Sequence, residues 1–312
     1  MSAATPLVLG AMYFGTRTDE PTSVEILDRF VDAGGTMIDT SDNYSFWSDP
    51  SGFGGQSEAV LGRWLAARPG VRDRVYLSTK VGAQPLVPGG YPDVIEGLSA
   101  AAIKDALQRS LRQLGTDRID LYWAHVEDRS VPVEETVAAF GSLVTDGVVG
   151  RVGCSNWPTW RVEQARQAAR GWPGFTILQL MHSYLQPRPS APVAFQSQRF
   201  GWVTDETLDY AAAVGLDLWI YSPLLKGGYV HPERLTDAYN HVGNTERLAV
   251  LDEVAAELGA TRNQVVLAWL AGGALPITPM VGCSSVAQLD EALAGVRLTL
   301  SPEQRARMDA TA

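Results

Sequence analysis

Short apolar segments alternate with longer amphipathic segments along the chain. The short segments have the length of strands, and the longer ones repeat apolar residues at helical spacing. This pattern predicts eight strands, at residues 7–12, 36–39, 75–80, 119–125, 148–154, 177–180, 216–221 and 276–280. It predicts helices at residues 24–33, 58–66, 100–114, 134–145, 160–170, 205–214, 248–258, 261–271, 286–293 and 302–309. Ser23 and Ser99 are expected to cap the first and third helices, and Pro158 to open the fifth.

The alternation predicts an α/β fold, a (β/α)₈ TIM barrel. A length of 312 residues is normal for one such barrel, so we expect a single domain over residues 1–312 with extended βα loops at the carboxyl face. A doubly wound sheet is the main alternative. It would usually show Gly-x-Gly-x-x-Gly after its first strand, and that motif is absent there.

Three successive predicted strands each end in a titratable residue. Asp39 ends the second, Lys80 the third and His125 the fourth, and Tyr44 follows Asp39 on the next loop. Because catalytic residues of barrels lie at the carboxyl ends of strands, we expect these four side chains to share one site. A buried aspartate needs a cationic partner, and Lys80 could supply it.

These four side chains suit proton transfer to a carbonyl oxygen or from an alcohol. A free tyrosine has a pKa of about 10, and a nearby ammonium is expected to lower the pKa of Tyr44. Asp39 would keep Lys80 charged, and His125 could hold the carbonyl oxygen. Since the carbon atom then needs a hydride, the arrangement implies a nicotinamide cofactor.

Composition narrows the class of protein. The net charge of -10 argues against nucleic acid or an acidic membrane as the main partner. Cys154 and Cys283 form no Cys-x-x-Cys pair, and the four histidines show no metal-ligand spacing, so no metal is expected. No secretory signal and no membrane-spanning run is recognisable, and we expect a cytoplasmic protein.

Over nearly its whole length the chain resembles the aldo-keto reductase superfamily. The resemblance rests on several ordered motifs at predicted strand ends. The family's Gly-x-x-x-Ile-Asp-Thr-Ala-x-x-Tyr corresponds to residues 35–44, with one residue fewer after Gly35 and serine for alanine. The others are Ser-Thr-Lys-Val at 78–81, Asp-Leu-Tyr-x-x-His at 120–125, Gly-x-Ser-Asn-Trp at 153–157, Gln179, and Tyr-Ser-Pro-Leu at 221–224.

The resemblance implies roles for these positions. Asp39, Tyr44, Lys80 and His125 would be the catalytic four, with Tyr44 as general acid. The expected nicotinamide partners are Ser155, Asn156 and Gln179, with Tyr221 stacked beneath the ring. The pyrophosphate would be lined by Ser222, Leu224, Lys226 and Gly227. The adenosine phosphate would lie near Gly282, Ser284, Ser285 and Gln288.

Two segments depart from the family pattern. Residues 281–292 contain no basic residue, although many members carry one there for the 2′-phosphate. NADPH remains the cofactor that the resemblance implies, and the absence of this basic residue leaves NADH as the open alternative. The loop 45–55 is longer than usual, and its Trp47 and Phe53 are expected to form an aromatic wall over the substrate together with Trp123, Trp157 and Tyr229.

The resulting hypothesis is an NADPH-dependent oxidoreductase that reduces a small aldehyde or ketone to an alcohol, reversibly; a homo-oligomer is compatible with it. Two alternatives belong to other classes. Lys80 could form a Schiff base in a lyase. The protein could also be a cofactor-binding regulator with little turnover, as some relatives of potassium-channel β subunits are.

Overall fold

The chain forms a closed barrel of eight parallel strands surrounded by helices. The computed structural model describes residues 5–193, 200–273 and 277–310. The strands are β1 Val8–Gly10, β2 Met37–Asp39, β3 Tyr76–Val81, β4 Ile119–Ala124, β5 Val149–Ser155, β6 Ile177–Met181, β7 Asp217–Tyr221 and β8 Ile277–Gly282. Each pairs in parallel with its neighbours in sequence, and β8 closes on β1. The predicted (β/α)₈ barrel is confirmed.

The described helices cover the outside of the barrel. They are α1 Glu20–Asp32, α2 Gln56–Ala66, α3 Ala100–Leu114, α4 Val133–Thr145, α5 Thr159–Ala168, α6 Asp205–Val214, α7 Val242–Leu258, α8 Arg262–Ala271, α9 Val286–Arg297 and α10 Pro302–Ala310. Helix α7 begins six residues earlier than predicted, and α9 extends to Arg297. Of the predicted eighth strand, Pro276 lies outside the described residues.

The start of α1 corrects one prediction and α3 confirms another. Ser99 caps α3 by accepting from the backbone of Ala102. Ser23 is not the cap of α1; the helix begins earlier, and Asp19 accepts from the backbone of Thr22 at 2.9 Å. Pro21 lies in the first turn, where a proline sacrifices no hydrogen bond, so the helix extends back to Asp19.

The apolar residues form two clusters separated by the sheet. The larger lies between the strands and the helices. The smaller fills the barrel interior and consists of Val8, Leu121, Trp123, Ile177, Trp219 and Met280. Because side chains within the barrel fill its lower part, polar groups at the carboxyl ends of the strands lie above a packed apolar floor.

Candidate functional site

Asp39, Lys80 and Tyr44 form one buried cluster at the ends of β2 and β3. The strand register sets Asp39 opposite Ser78, and Lys80 follows two residues later on the same face of β3. The Lys80 ammonium donates to the carboxylate of Asp39, to the carbonyl of Thr40 at 2.7 Å and to the phenolic oxygen of Tyr44 at 2.8 Å. Asp39 and Lys80 have no exposed surface, and Tyr44 is 9% exposed.

The hydrogen bonds define the protonation of this cluster. Three acceptors use all three donors of an ammonium group, so Lys80 is charged and lacks the free amine that a Schiff base requires. Burial lowers the pKa of Lys80, and the carboxylate of Asp39 opposes that shift. The geometry therefore disfavours the lyase hypothesis.

The expected lowering of the Tyr44 pKa is wrong for this structure. Burial, and then the negative charge of Asp39, raise the pKa of Tyr44 well above its ordinary value. The positive charge of Lys80 does not reverse this because Asp39 already balances it. Tyr44 is therefore a protonated hydroxyl at neutral pH, which suits a proton donor.

His125 lies beside Tyr44 at the end of β4. The two rings meet edge to face with centroids 5.8 Å apart. Burial and the charge of Lys80 hold the pKa of His125 well below its ordinary value, so its imidazole is neutral at neutral pH. Its Nδ1 lies 3.2 Å from the hydroxyl of Ser41. All four predicted catalytic side chains thus lie in one neighbourhood.

Several supporting side chains were not singled out from the sequence. Ser78 donates to the second carboxylate oxygen of Asp39 at 2.5 Å. At the start of α2, Ser57 donates to the carbonyl of Ala11 at 2.7 Å, and Glu58 accepts from Thr79 at 2.6 Å. The Glu58 contact ties α2 to β3, the strand that carries Lys80, and the Ser57 contact ties α2 to the residue that follows β1. The spacing of buried serines at strand ends is a weak signal, because serine is common in loops.

The predicted nicotinamide partners lie together at the ends of β5, β6 and β7. Ser155 pairs with Gln179 in the strand register and donates to its carbonyl at 3.0 Å. Asn156 accepts from the hydroxyl of Tyr221 at 2.7 Å, which orients that ring. The Nε2 of Gln179 is buried without a hydrogen-bond partner among the described residues, although the side chain is only 2% exposed. A buried amide donor of this kind fits the carboxamide oxygen of a nicotinamide.

The predicted pyrophosphate segment has an unusual backbone. Ser222, Leu225 and Lys226 all have positive φ, at 55°, 48° and 56°, and Gly227 follows at 87°. Within this turn the backbone N–H groups of Leu225 and Gly227 donate to the carbonyls of Ser222 and Leu224, at 3.1 and 2.9 Å. The group of this segment that suits an anion is therefore the side chain of Lys226. Leu224 precedes this turn and packs against the main core.

Cations from two other segments lie near Lys226. Partial burial lowers the pKa of Lys226 to about 8, and the positive charge of Arg17 contributes to that shift. Arg234 donates to the carbonyl of Lys226 at 3.2 Å. Arg234 and Lys226 also line one cavity with Ser222. An electropositive cluster therefore exists at the barrel mouth, although the 281–292 segment contributes no basic residue to it.

The predicted adenosine-phosphate residues surround the start of α9. Ser285 caps that helix by accepting from the backbone of Gln288. Ser284 donates from both its backbone and its hydroxyl to the side chain of Gln288, at 2.8 and 3.0 Å. Gly282, the last residue of β8, is exposed. These four residues therefore form a polar surface at the N-terminus of α9.

The predicted aromatic wall is wrong for three of its five residues, which are Trp123, Trp157 and Tyr229. Trp123 is fully buried in the barrel interior against Trp219, with ring centroids 5.4 Å apart. Trp157 packs against Phe175. The hydroxyl of Tyr229 hydrogen-bonds to the hydroxyl of Ser183 and accepts from the backbone of Leu185. These three side chains are at most 2% exposed, so the prediction that they line an open pocket is wrong.

Trp47 and Phe53 are the two wall residues that lie at the surface. They are 41% and 36% exposed. The Trp47 ring is edge-on to Tyr44 at 6.4 Å and to Tyr13 at 6.3 Å. Tyr13 was not predicted from the sequence. An aromatic edge formed by Tyr13 and Trp47 therefore borders the Tyr44 phenol.

The described residues show neither a metal-binding cluster nor a membrane-spanning helix. Among residues 5–193, 200–273 and 277–310, no group of three or more histidine, cysteine, aspartate or glutamate side chains could hold a metal ion. In the portion of the chain that the structure describes, no helix is both long and apolar enough to cross a membrane.

Comparison with known proteins identifies the family of this fold and site. The model of the Aldo/keto reductase family matches residues 6–312. The chain is 30% identical to the uncharacterized oxidoreductase YrpG of Bacillus subtilis, over 95% of this chain and 89% of that one. It is 31% identical to the norsolorinic acid reductase stcV of Emericella nidulans, over 96% of this chain and 76% of that one. Human aflatoxin B1 aldehyde reductase member 4 is 36% identical over 59% of this chain and 51% of its own.

Proposed function

The chain belongs to the aldo-keto reductase family, and we propose that it reduces an aldehyde or ketone to an alcohol, reversibly, with NADPH. The single observation that carries this proposal is the hydrogen bond from Lys80 to the phenolic oxygen of Tyr44. It leaves the phenol proton directed at another acceptor, and a substrate carbonyl oxygen is such an acceptor.

The nicotinamide side of the site fits the cofactor class of the family. Gln179 offers a buried amide donor, and Ser155 and Asn156 add polar groups beside it. When bound, the cofactor would supply the hydride that the carbonyl carbon accepts. The chain's own part is to orient the carboxamide and to keep the Tyr221 ring in place through Asn156.

The phosphate side of the site fits a nicotinamide dinucleotide. Ser222, Leu224, Lys226 and Gly227 would line the pyrophosphate, and Ser222 and Lys226 share one cavity. Arg17 and Arg234 add positive charge near Lys226. NADPH and NADH both carry this pyrophosphate, so the cluster supports binding of either, and the proposed preference for NADPH rests on the family to which the chain belongs. Gly282, Ser284, Ser285 and Gln288 would contact the adenosine portion.

In the proposed reaction Tyr44 gives its proton to the carbonyl oxygen. Lys80 holds the phenolic oxygen and Asp39 holds Lys80, so the donor is fixed before substrate arrives. His125 lies at the edge of the same site. Trp47 and Phe53 would border the substrate. Reductase names among the relatives, one of them for an aldehyde, agree with carbonyl reduction.

The test is a fluorescence titration of the protein with NADPH and with NADH, followed by a carbonyl panel with the tighter cofactor. We expect tighter binding of NADPH and consumption of the cofactor by at least one class of aldehyde or ketone. Tight binding with negligible turnover across the panel would instead identify a regulatory cofactor-binding protein. Equal affinity for the two cofactors would contradict the proposed preference for NADPH.

A further inference from the structure

The β3–α3 loop forms a short hairpin at the mouth of the barrel. The backbone of Leu86 donates to the carbonyl of Val94 at 3.0 Å, and the backbone of Glu96 donates to the carbonyl of Gln84 at 3.0 Å. Gln84 is therefore opposite Glu96, and Leu86 is opposite Val94. Since side chains alternate between the two faces of a strand, these four share one face of the hairpin. Leu86 and Val94 are 58% and 44% exposed on that face.

The same face of the hairpin is turned toward the β2–α2 loop. The side chain of Gln84 accepts from the backbone of Gly54 at 3.0 Å. Nearer the tip of the hairpin, Gly52 lies so close to Pro88 that a Cβ atom on the glycine would be 2.9 Å from the Cβ of Pro88. These two contacts hold the β2–α2 loop and the hairpin side by side.

Phe53, Leu86 and Val94 form one apolar surface, which we name the apolar platform. Phe53 lies between the two glycines, and Leu86 lies between their two partners on the hairpin, so these side chains are neighbours. Among the described residues, half of the large hydrophobic side chains that are exposed lie at residues 47–94. Exposed apolar side chains gathered on one surface are typical of a binding site, whereas single ones are not.

The apolar platform is continuous with the proposed reaction site. In the hairpin, the ring of Tyr91 lies with its centroid 5.1 Å from that of Phe46, and Phe46 contacts Trp47 at 4.9 Å. Trp47 in turn lies edge-on to Tyr44 at 6.4 Å. A line of aromatic contacts therefore joins the hairpin that carries the platform to the phenol.

Two other directions from the phenol are already filled. Trp123 and Trp219 pack together in the barrel interior, so a substrate cannot extend downward. At the ends of β5 to β7, Gln179 and its neighbours are the proposed partners of the nicotinamide, and Trp157 beside them is buried. The part of a substrate beyond its carbonyl has room across the β2–α2 and β3–α3 loops, where the exposed side chains are apolar.

We propose that the apolar platform binds the apolar body of the substrate, and that the preferred substrates are aldehydes or ketones with a long alkyl chain or a similarly large ring system. Phe53, Leu86 and Val94 are then specificity-determining residues. Contact with them removes apolar surface of both partners from water, which favours binding in proportion to the area covered. The inference rests on the proposed function for the carbonyl group and deepens it by naming the substrate class.

The test uses two matched series of compounds, the primary alcohols from butanol to octanol and the corresponding aldehydes. Calorimetric titration of the protein with each alcohol, without cofactor, measures binding in the absence of any reaction. Steady-state kinetics with NADPH gives kcat/KM for each aldehyde. We expect affinity and kcat/KM to rise by about twofold to fourfold for each methylene group that reaches the platform, fourfold being the value for complete burial.

The variant Leu86→Ser/Val94→Ser removes two apolar side chains of the platform. Both positions are exposed, so the fold should tolerate the change, and the dependence on chain length should flatten in both series. Val242→Ser is the matched control, because Val242 is an apolar side chain of greater exposure at the start of α7. The control should keep the chain-length dependence of the parent protein.

The outcomes separate this inference from the proposed function. Equal kcat/KM for short and long aldehydes, or the same chain-length dependence in the double variant as in the parent, would overturn the inference and leave carbonyl reduction intact. Binding of alcohols that strengthens with length, without turnover of any aldehyde, would support the platform and contradict the reductase function. Sedimentation velocity tests a different occupant: a dimer that dissociates in the double variant would assign the surface to a second copy of the chain and overturn the proposal.

Discussion

The ammonium of Lys80 donates a hydrogen bond of 2.8 Å to the phenolic oxygen of Tyr44. Lysine has no acceptor, so the phenolic oxygen must accept and its own proton must point to a different partner. The other two ammonium protons are held by Asp39 and Thr40, which prevents Lys80 from turning away. One buried side chain therefore sets both the position of the phenol and the direction of its proton.

Replacing Tyr44 by phenylalanine should remove the proton donor and little else. We expect turnover to fall by about 10²–10⁴-fold, the usual contribution of a positioned acid, while NADPH affinity stays nearly unchanged. Steady-state kinetics and cofactor fluorescence measure the two effects. Tyr76→Phe is a suitable control, because Tyr76 begins β3 at the opposite end of the barrel from Lys80. Full activity in Tyr44→Phe would exclude the proposed role.

Breaking the buried Asp39–Lys80 pair should destabilise the fold more than breaking an exposed ion pair does. Asp39→Asn leaves a buried ammonium without its carboxylate, and the expected loss is about 3–5 kcal/mol in the free energy of unfolding. Lys80→Met in the same chain should recover most of that stability but no activity. Glu20→Gln removes the partner of the exposed Arg63 and should cost at most about 1 kcal/mol. Urea unfolding compares the variants, and equal losses would refute this account.

The low pKa of Lys226 makes cofactor binding sensitive to alkaline pH. Burial and the charge of Arg17 place that pKa near 8, so the free protein loses this positive charge as pH rises through that value. NADPH affinity should therefore fall by about tenfold between about pH 7 and pH 9, the size of one charged hydrogen bond. Lys226→Arg keeps its charge and should flatten the profile, whereas Lys104→Arg on the exposed surface of α3 should not. Parallel profiles in all three proteins would show that Lys226 does not contact the phosphates.

Trp47 should select for aromatic substrates. It is exposed and lies edge-on to Tyr44, so an aryl carbonyl bound at the phenol can pack against it. Trp47→Leu should raise KM for aryl ketones about three- to tenfold, the value of one aromatic contact, and leave aliphatic ketones unchanged. Trp160→Leu, at a 54% exposed site on α5, is the control. An equal rise in KM for both substrate classes would contradict the prediction.

The strands and the four central site residues were predictable because each follows from a local pattern. An apolar run that ends in Asp39, Lys80 or His125 is typical of a parallel barrel strand, and the barrel then brings neighbouring strand ends together. The start of α1 was missed because Asp19 and Ser23 are equally good caps on composition, and Pro21 between them decided the outcome.

Other features depend on contacts that local pattern does not encode. Parallel strands are buried on both faces, so the sequence does not distinguish a Trp123 in the barrel interior from one facing a pocket. The Tyr44 pKa depends on burial and on the sign of the net charge around it, which requires the geometry of Asp39 and Lys80 together. The approach of Arg17 to Lys226 joins two distant loops and has no signature in either.

Glu58 should make the stability of the fold decrease as pH rises. Its side chain is 2% exposed, and burial raises its pKa from 4.5 to about 7, although Thr79 donates to it. Between these two values the folded chain binds a proton that the unfolded chain has lost, so unfolding becomes easier as pH increases. The stabilisation present below about pH 4.5 is therefore lost as pH rises through about 7, with a total near 3 kcal/mol.

Glu58→Gln retains an oxygen that can accept from Thr79 but does not titrate, so its stability should lack this contribution. The free energy of unfolding in urea, measured at about pH 5 and about pH 8, should differ less in Glu58→Gln than in the parent protein. The other titrating groups are the same in both proteins, so their contributions cancel when the two pH-dependent changes in the free energy of unfolding are subtracted. Glu246→Gln, at an exposed position on α7, should behave like the parent. If Glu58→Gln shows the same pH dependence as the parent, Glu58 is ionised in the folded protein and α2 is held to β3 by a charged hydrogen bond.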